Sequence, residues 1–108
     1  ENGADLDVKY MDIWTCLHLA AAANHPAIVE LLLDQGMPIN VTDELGLTPL
    51  HCAADNGHHK LAELLITRGA DINKQDRDGR TPLDIAEAEN HDKTAEAIRY
   101  AQSGRNST

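Results

Sequence analysis

Apolar residues fall into two short stripes separated by polar turns, and this alternation recurs along the chain. In the middle stretch Leu50, Ala53 and Ala54 are three and four positions apart, the spacing of one helical face. Asn56-Gly57 closes that run, and a second stripe follows in Leu61, Leu64 and Leu65, with Lys60 and Glu63 on the outside. Gly69 stands where a left-handed C-terminal cap is needed, so the second helix runs from about His59 to Arg68. Ahead of both stripes, Asp43-Glu44-Leu45-Gly46 reads as a turn, with the glycine free to adopt positive φ. Thr48 is placed to cap the first helix through its hydroxyl, and Pro49 is pre-set for the first helical position. The pattern predicts a hairpin-like turn, a short helix, a second helix and a return.

The unit is written three times. Thr48-Pro49-Leu50 returns 33 positions later as Thr81-Pro82-Leu83, and a variant, Thr15-Cys16-Leu17, stands 33 positions earlier. In the same register come Ala20, Ala53 and Ala86, then His25, His58 and His91, then Glu30, Glu63 and Glu96. Neither helix of a unit is long enough to be stable alone. Each must bury its stripe against the next copy, which makes the chain a stacked array.

Thr48-Pro49-Leu50-His51-Cys52-Ala53-Ala54, Gly57-His58, Leu64-Leu65 and Gly69-Ala70-Asp71-Ile72-Asn73 together resemble the ankyrin repeat, over essentially the whole chain. The resemblance implies an all-α fold, a solenoid of stacked helix-turn-helix units with hairpin-like turns. Repeats are expected over 10–42, 43–75 and 76–108. Gly3-Ala4-Asp5-Leu6-Asp7 matches Gly69 to Asn73, so 1–9 reads as the tail of a preceding repeat. Thr94, Ala97 and Arg99 replace apolar residues of the earlier copies, which suggests a polar outer helix in a C-terminal capping repeat. Tyr100 is then placed to close the last helix, with Ser103 to Thr108 as a frayed tail. The front end shows no such cap. Either upstream repeats or self-association is expected to cover it.

Composition narrows the partners. The net charge of −9 argues against nucleic acid and against anionic membranes, both of which select Lys and Arg. The longest nearly apolar run, Leu17 to Ala23, is far too short to span a bilayer. Aromatic residues are only 3% and Phe is absent, so the core must be built from Leu, Ile, Val and Ala. Cys16 and Cys52 fall in one helix layer and read as buried reduced thiols of an intracellular protein, cytoplasmic or nuclear.

The sequence points to no cofactor, metal site or catalytic constellation. Glycine-rich phosphate loops and paired-Cys zinc motifs are missing. His58 recurs at His25 and His91 and therefore belongs to the scaffold. His18 and His51 occupy the histidine of the ankyrin Thr-Pro-Leu-His motif, which implies bonds to backbone groups between neighbouring units. Asp84 replaces that histidine in the third copy; it reads as part of a solvated helix or of an acidic patch with Glu87 and Glu89. Asn73, like Asn40, reads first as a residue that ties down its turn; the alternative is that Leu65…Asp71-Ile72-Asn73 resembles the site at which ankyrin-type proteins are hydroxylated.

Equivalent positions have equivalent surroundings, so positions that change freely between copies mark the working surface. They comprise Tyr10, Asp43 and Asp76; Met11, Glu44 and Arg77; Asp12, Leu45 and Asp78; Trp14, Leu47 and Arg80; Ala22, Asp55 and Ala88; and Ala23, Asn56 and Glu89. In the resembled family these positions line the hairpin tips and concave groove. The expected partner-binding residues are Tyr10, Met11, Trp14, Glu44, Leu45, Leu47, Asp55, Asn56, Arg77, Asp78, Arg80 and Glu89. The first turn holds two of the three aromatics, and a Trp hot spot is worth about 2–4 kcal/mol. Trp14 and Tyr10 read either as anchors for an apolar partner segment or as packing for an upstream repeat. Ile13, where Gly46 and Gly79 stand in the other copies, sets that turn apart. The expected function is a non-catalytic recognition module, a scaffold or adaptor segment whose protein partner offers an apolar segment, with basic residues to match the acidic chain. The alternatives are a stoichiometric inhibitor or regulatory subunit of an enzyme, or the regulatory region of a larger enzyme or channel.

Overall fold

The computed structural model describes residues 16–104. Among them lie six helices and no strand: α1 (16–22), α2 (Pro26–Asp34), α3 (Pro49–Asp55), α4 (His59–Thr67), α5 (Pro82–Ala88) and α6 (Asp92–Gly104). They form three pairs, each a short inner helix followed by a longer outer one. Within units α3 packs on α4 and α5 on α6; between units α3 packs on α5 and α4 on α6.

The starts of α3 and α5 follow from their Thr-Pro-Leu motifs. The Thr48 hydroxyl accepts from the His51 N–H, while the Thr48 N–H donates to Nδ1 of His51 at 3.0 Å. Thr81 and Asp84 form the same reciprocal pair. Asp84 is thus a capping residue, and the acidic-patch alternative loses a member. Glu87 is also engaged, paired with Arg99.

Each inner helix ends on a left-handed residue in the same register: Asn24, Gly57 and Asn90 have φ of 64°, 72° and 63°. Asparagine tolerates this region better than most non-glycine residues. At Gly57 space matters too, because a Cβ would lie 2.6 Å from Nδ1 of His91.

The core is aliphatic. Leu17, Leu50, Leu61, Leu65, Val29 and Ile98 are fully buried, with Ala20, Ala21, Ala53, Ala54, Ala62, Ala86 and Ala95 at the close helix contacts. Burial at one equivalent set rises along the array. Leu19 is exposed, Cys52 half-buried and Ile85 buried, because each unit covers the leading face of the next.

Two histidines stitch each interface. Nε2 of His18 lies 2.7 Å from the Leu47 carbonyl, and Nε2 of His51 lies 3.0 Å from that of Arg80. These bonds run from an inner helix forward to the next hairpin. His58 and His91 run backward: Nε2 of His58 lies 2.8 Å from the Ala22 carbonyl and Nε2 of His91 lies 3.0 Å from that of Asp55. The structural reading of all four rings holds.

Three expectations for the last unit are corrected. Thr94 belongs to no solvated face: it is 1% exposed, and its hydroxyl has no hydrogen-bond partner. Its register is that of Leu61, which is likewise buried. Tyr100 closes nothing and is 75% exposed. Ser103 does not fray, since α6 continues through Gly104 and the Ser103 hydroxyl donates to the Arg99 carbonyl. Arg99, by contrast, is exposed as expected.

Protonation couples to this frame. Burial pushes the His51 pKa below its ordinary 6.5, although the Arg80 carbonyl and the Asp76 charge oppose it. The unfolded chain then binds a proton more readily than the folded one, so stability is complete above pH 6.5 and is lost as the pH falls below it. Burial alone would raise the Asp76 pKa. The Arg80 and Asp78 N–H groups and the Arg80 guanidinium outweigh it and hold the carboxyl below 3.8, so its contribution is lost only as the pH falls through that lower value.

His51→Gln keeps a side chain able to complete the capping box and loses the bond to Arg80. It is expected to lower stability at pH 7.5 by about 1 kcal/mol and to flatten the loss between pH 7 and 5, read by urea unfolding at each pH. An unchanged pH slope contradicts the assignment. Thr94→Val removes an unpartnered buried hydroxyl and is expected to raise stability by about 1 kcal/mol; a lower unfolding midpoint counts against it.

Candidate protein-interaction surface

The hairpins between units are held from within. Asp43 Oδ1 accepts the Leu45 and Leu47 N–H groups, both at 2.9 Å, while the Asp43 N–H donates to the Leu47 carbonyl at 3.1 Å. Asp76 repeats this, with Oδ1 accepting from Asp78 and Arg80 at 2.9 Å. Both aspartates stand at a position that varies between copies, yet each is the keystone of its turn. Asp76 is buried. The recurring Asp-x-x-Gly of the second and third copies carried that signal, and Tyr10 in the first obscured it.

The two hairpins are also tied to each other. The Arg77 N–H donates to the Leu45 carbonyl at 2.9 Å. At Gly46, with φ of 80°, a Cβ would stand 3.0 Å from the Arg77 nitrogen and 3.2 Å from the Asp76 Cα, so only glycine permits the approach. Further down, the Asp71 N–H donates to Oδ1 of Asn40 at 2.8 Å, and Oδ1 of Asn73 accepts the Gln102 amide at 3.0 Å. Asn73 is exposed, and its N–H also donates to its neighbour Asp71. Its side chain is thus bonded to α6, and its backbone to the Asp71 carboxylate.

On this frame Glu44, Leu45, Asp55, Asn56, Arg77, Asp78 and Glu89 are all exposed. Leu45 is 61% exposed at the tip of its hairpin. Leu47 differs: it is half-buried, packs on the core, and gives its carbonyl to His18. Arg80 is exposed, yet its guanidinium is committed to Asp76 at 3.2 Å. Asn56 caps the end of α3 and donates its amide to the Cys52 carbonyl at 2.9 Å. Asp55 is the last residue of α3, and Glu89 is the C-terminal cap of α5. Tyr10, Met11 and Trp14, with Ile13, lie outside the described residues.

A second exposed apolar group belongs to the first unit: Leu19, Ile28 and Leu31. Their third-unit equivalents, Ile85, Thr94 and Ala97, are buried or half-buried beneath the unit before them.

The two thiols correct a further expectation, that both are buried. Both are free, with Cys16 exposed and Cys52 half-buried. Burial, aided by Asp43 and Asp55, pushes the Cys52 pKa up to about 12, which makes it a packing group and a poor nucleophile. Among the described residues no group of three or more His, Cys, Asp or Glu is arranged to hold a metal ion, and no helix is long and apolar enough to cross a membrane.

The repeated capped helix pairs, the hairpins between them and the histidine stitches together define an ankyrin array. The family model for three copies of the ankyrin repeat matches residues 17–106, and the chain belongs to that family. A comparison with curated proteins gave no match. Ankyrin repeats are generally protein–protein interaction modules and typically non-catalytic.

Alkylation of the folded protein with iodoacetamide at pH 8 is expected to modify Cys16 and leave Cys52 intact, read by peptide mass. Equal labelling of both would contradict the burial of Cys52.

Proposed function

We propose that the chain is a non-catalytic recognition module, a scaffold or adaptor segment, that binds a partner protein through its hairpin tips and the exposed ends of its inner helices. The observation that carries this reading is the second hairpin. Leu45, a large apolar side chain, stands in solvent on a turn fixed by Asp43 and bonded to the next hairpin through Arg77. Such a side chain binds without paying again for loop ordering, the main cost that preorganisation removes. The exposed charges around it, Glu44, Arg77 and Asp78, differ between copies and suit selection of partners over contact strength. The acidic chain favours a partner with basic residues beside its apolar segment. Two free thiols fit a reducing, intracellular compartment.

The test is affinity capture on the wild-type chain against Leu45→Ser and Trp14→Ala, with melting temperatures measured in parallel. Loss of the same captured protein in both variants, with Leu45→Ser melting as wild type, is the expected result. Capture that both variants retain in full would sink the assignment.

A further inference from the structure

A cleft of about 730 Å³ lies between the outer helices α4 and α6, lined among others by Glu63, Ile66, Glu96, Ala97, Tyr100 and Ala101. It shares no residue with the hairpin surface. Its lining differs from the equivalent positions of the other copies. Ala97 stands in the register of Leu31 and Leu64, and Ala101 in that of Arg68. In the preceding pair Arg68 bridges the outer helices through Asp34 at 2.8 Å. Where α4 meets α6, a methyl stands in place of the leucine and Ala101 in place of the bridging arginine. Ile66 and Ala101 are buried and Ala97 half-buried, which gives an apolar floor. Tyr100 forms an exposed aromatic wall. Glu63 and Glu96 are exposed, and neither is among the ion pairs of the described residues. Lys93 also lines the cleft and offsets one of these charges, leaving the lining carboxylates in excess on a chain of net charge −9.

We propose that this cleft is a second docking site, for a partner's amphipathic helix that carries a leucine-type side chain next to an arginine. The apolar side chain fills the space left by Ala97 and Ala101. The guanidinium lies against the Tyr100 ring, where the aromatic face attracts a cation, and is held between Glu63 and Glu96. A partner's arginine thereby takes the place of the missing Arg68 equivalent.

The test uses the 108-residue chain and a synthetic helical peptide with Leu and Arg along one face, followed by backbone amide shifts. A control peptide has each Arg replaced by Glu. Saturable shifts in α4 and α6 with the Arg peptide alone are expected. Tyr100→Ala and the pair Glu63→Gln with Glu96→Gln are each expected to weaken binding roughly fivefold. Ala97→Leu refills the groove with the side chain the other copies carry, so it is expected to abolish binding while the melting temperature holds or rises. Wild-type binding by Ala97→Leu, equal binding of the Glu peptide, shifts confined to the hairpins, or no saturable binding would each overturn the proposal. The same shifts on raising protein concentration without peptide would assign the cleft to a second copy of the chain, and also overturn it.

Discussion

The stack depends on imidazole rings that reach from one unit to a backbone carbonyl of its neighbour. A hairpin or helix end in a two-layer array presents carbonyls that no helix or sheet ladder satisfies, and leaving them unpaired in a buried interface costs free energy. His18 and His51 supply the donor going forward, and His58 and His91 supply it going back. Small alanines bring the helices close enough for these bonds to form, and Gly57 leaves room for the His91 ring. The hairpins inherit their rigidity from the same frame, since the carbonyls bonded by His18 and His51 belong to Leu47 and Arg80, the last residues of the two turns.

That frame separates residues that hold from residues that are free to act. Backbone bonds, the two hairpin aspartates and the capping boxes hold the frame, so side chains between them can change without cost to the fold. The hairpin tips gain apolar and charged variety in this way. The outer helices vary too: Ala97 and Ala101 of α6 stand where α4 carries Leu64 and Arg68, and they line the cleft between α4 and α6.

Much of the fold was legible in the sequence, because Thr48, Pro49, Gly46 and Gly69 act locally and each motif carries its own geometry. The scaffold role of His58 was legible from recurrence alone. What the sequence hid were facts set by the rotation of one unit on the next. Thr94 reads as polar surface by type, yet it is buried. Leu47 and Leu45 sit two residues apart in one turn, yet one packs half-buried on the core and the other stands in solvent. Asp43 and Asp76 resemble variable surface in the sequence, because a position that differs in one copy conceals a role shared by the other two. Asp84 resembles a surface charge by type, whereas its distance from Thr81 makes it a cap.

The direct measurement of the histidine frame is long-range nitrogen–proton correlation on the imidazole rings at neutral pH. A ring nitrogen that faces a carbonyl must carry the proton, so His18, His51, His58 and His91 are each predicted to hold it on Nε2, with Nδ1 of His51 bare where it accepts from Thr48. A proton on Nδ1 alone in these rings would contradict the account, because Nε2 would then face a carbonyl with nothing to donate.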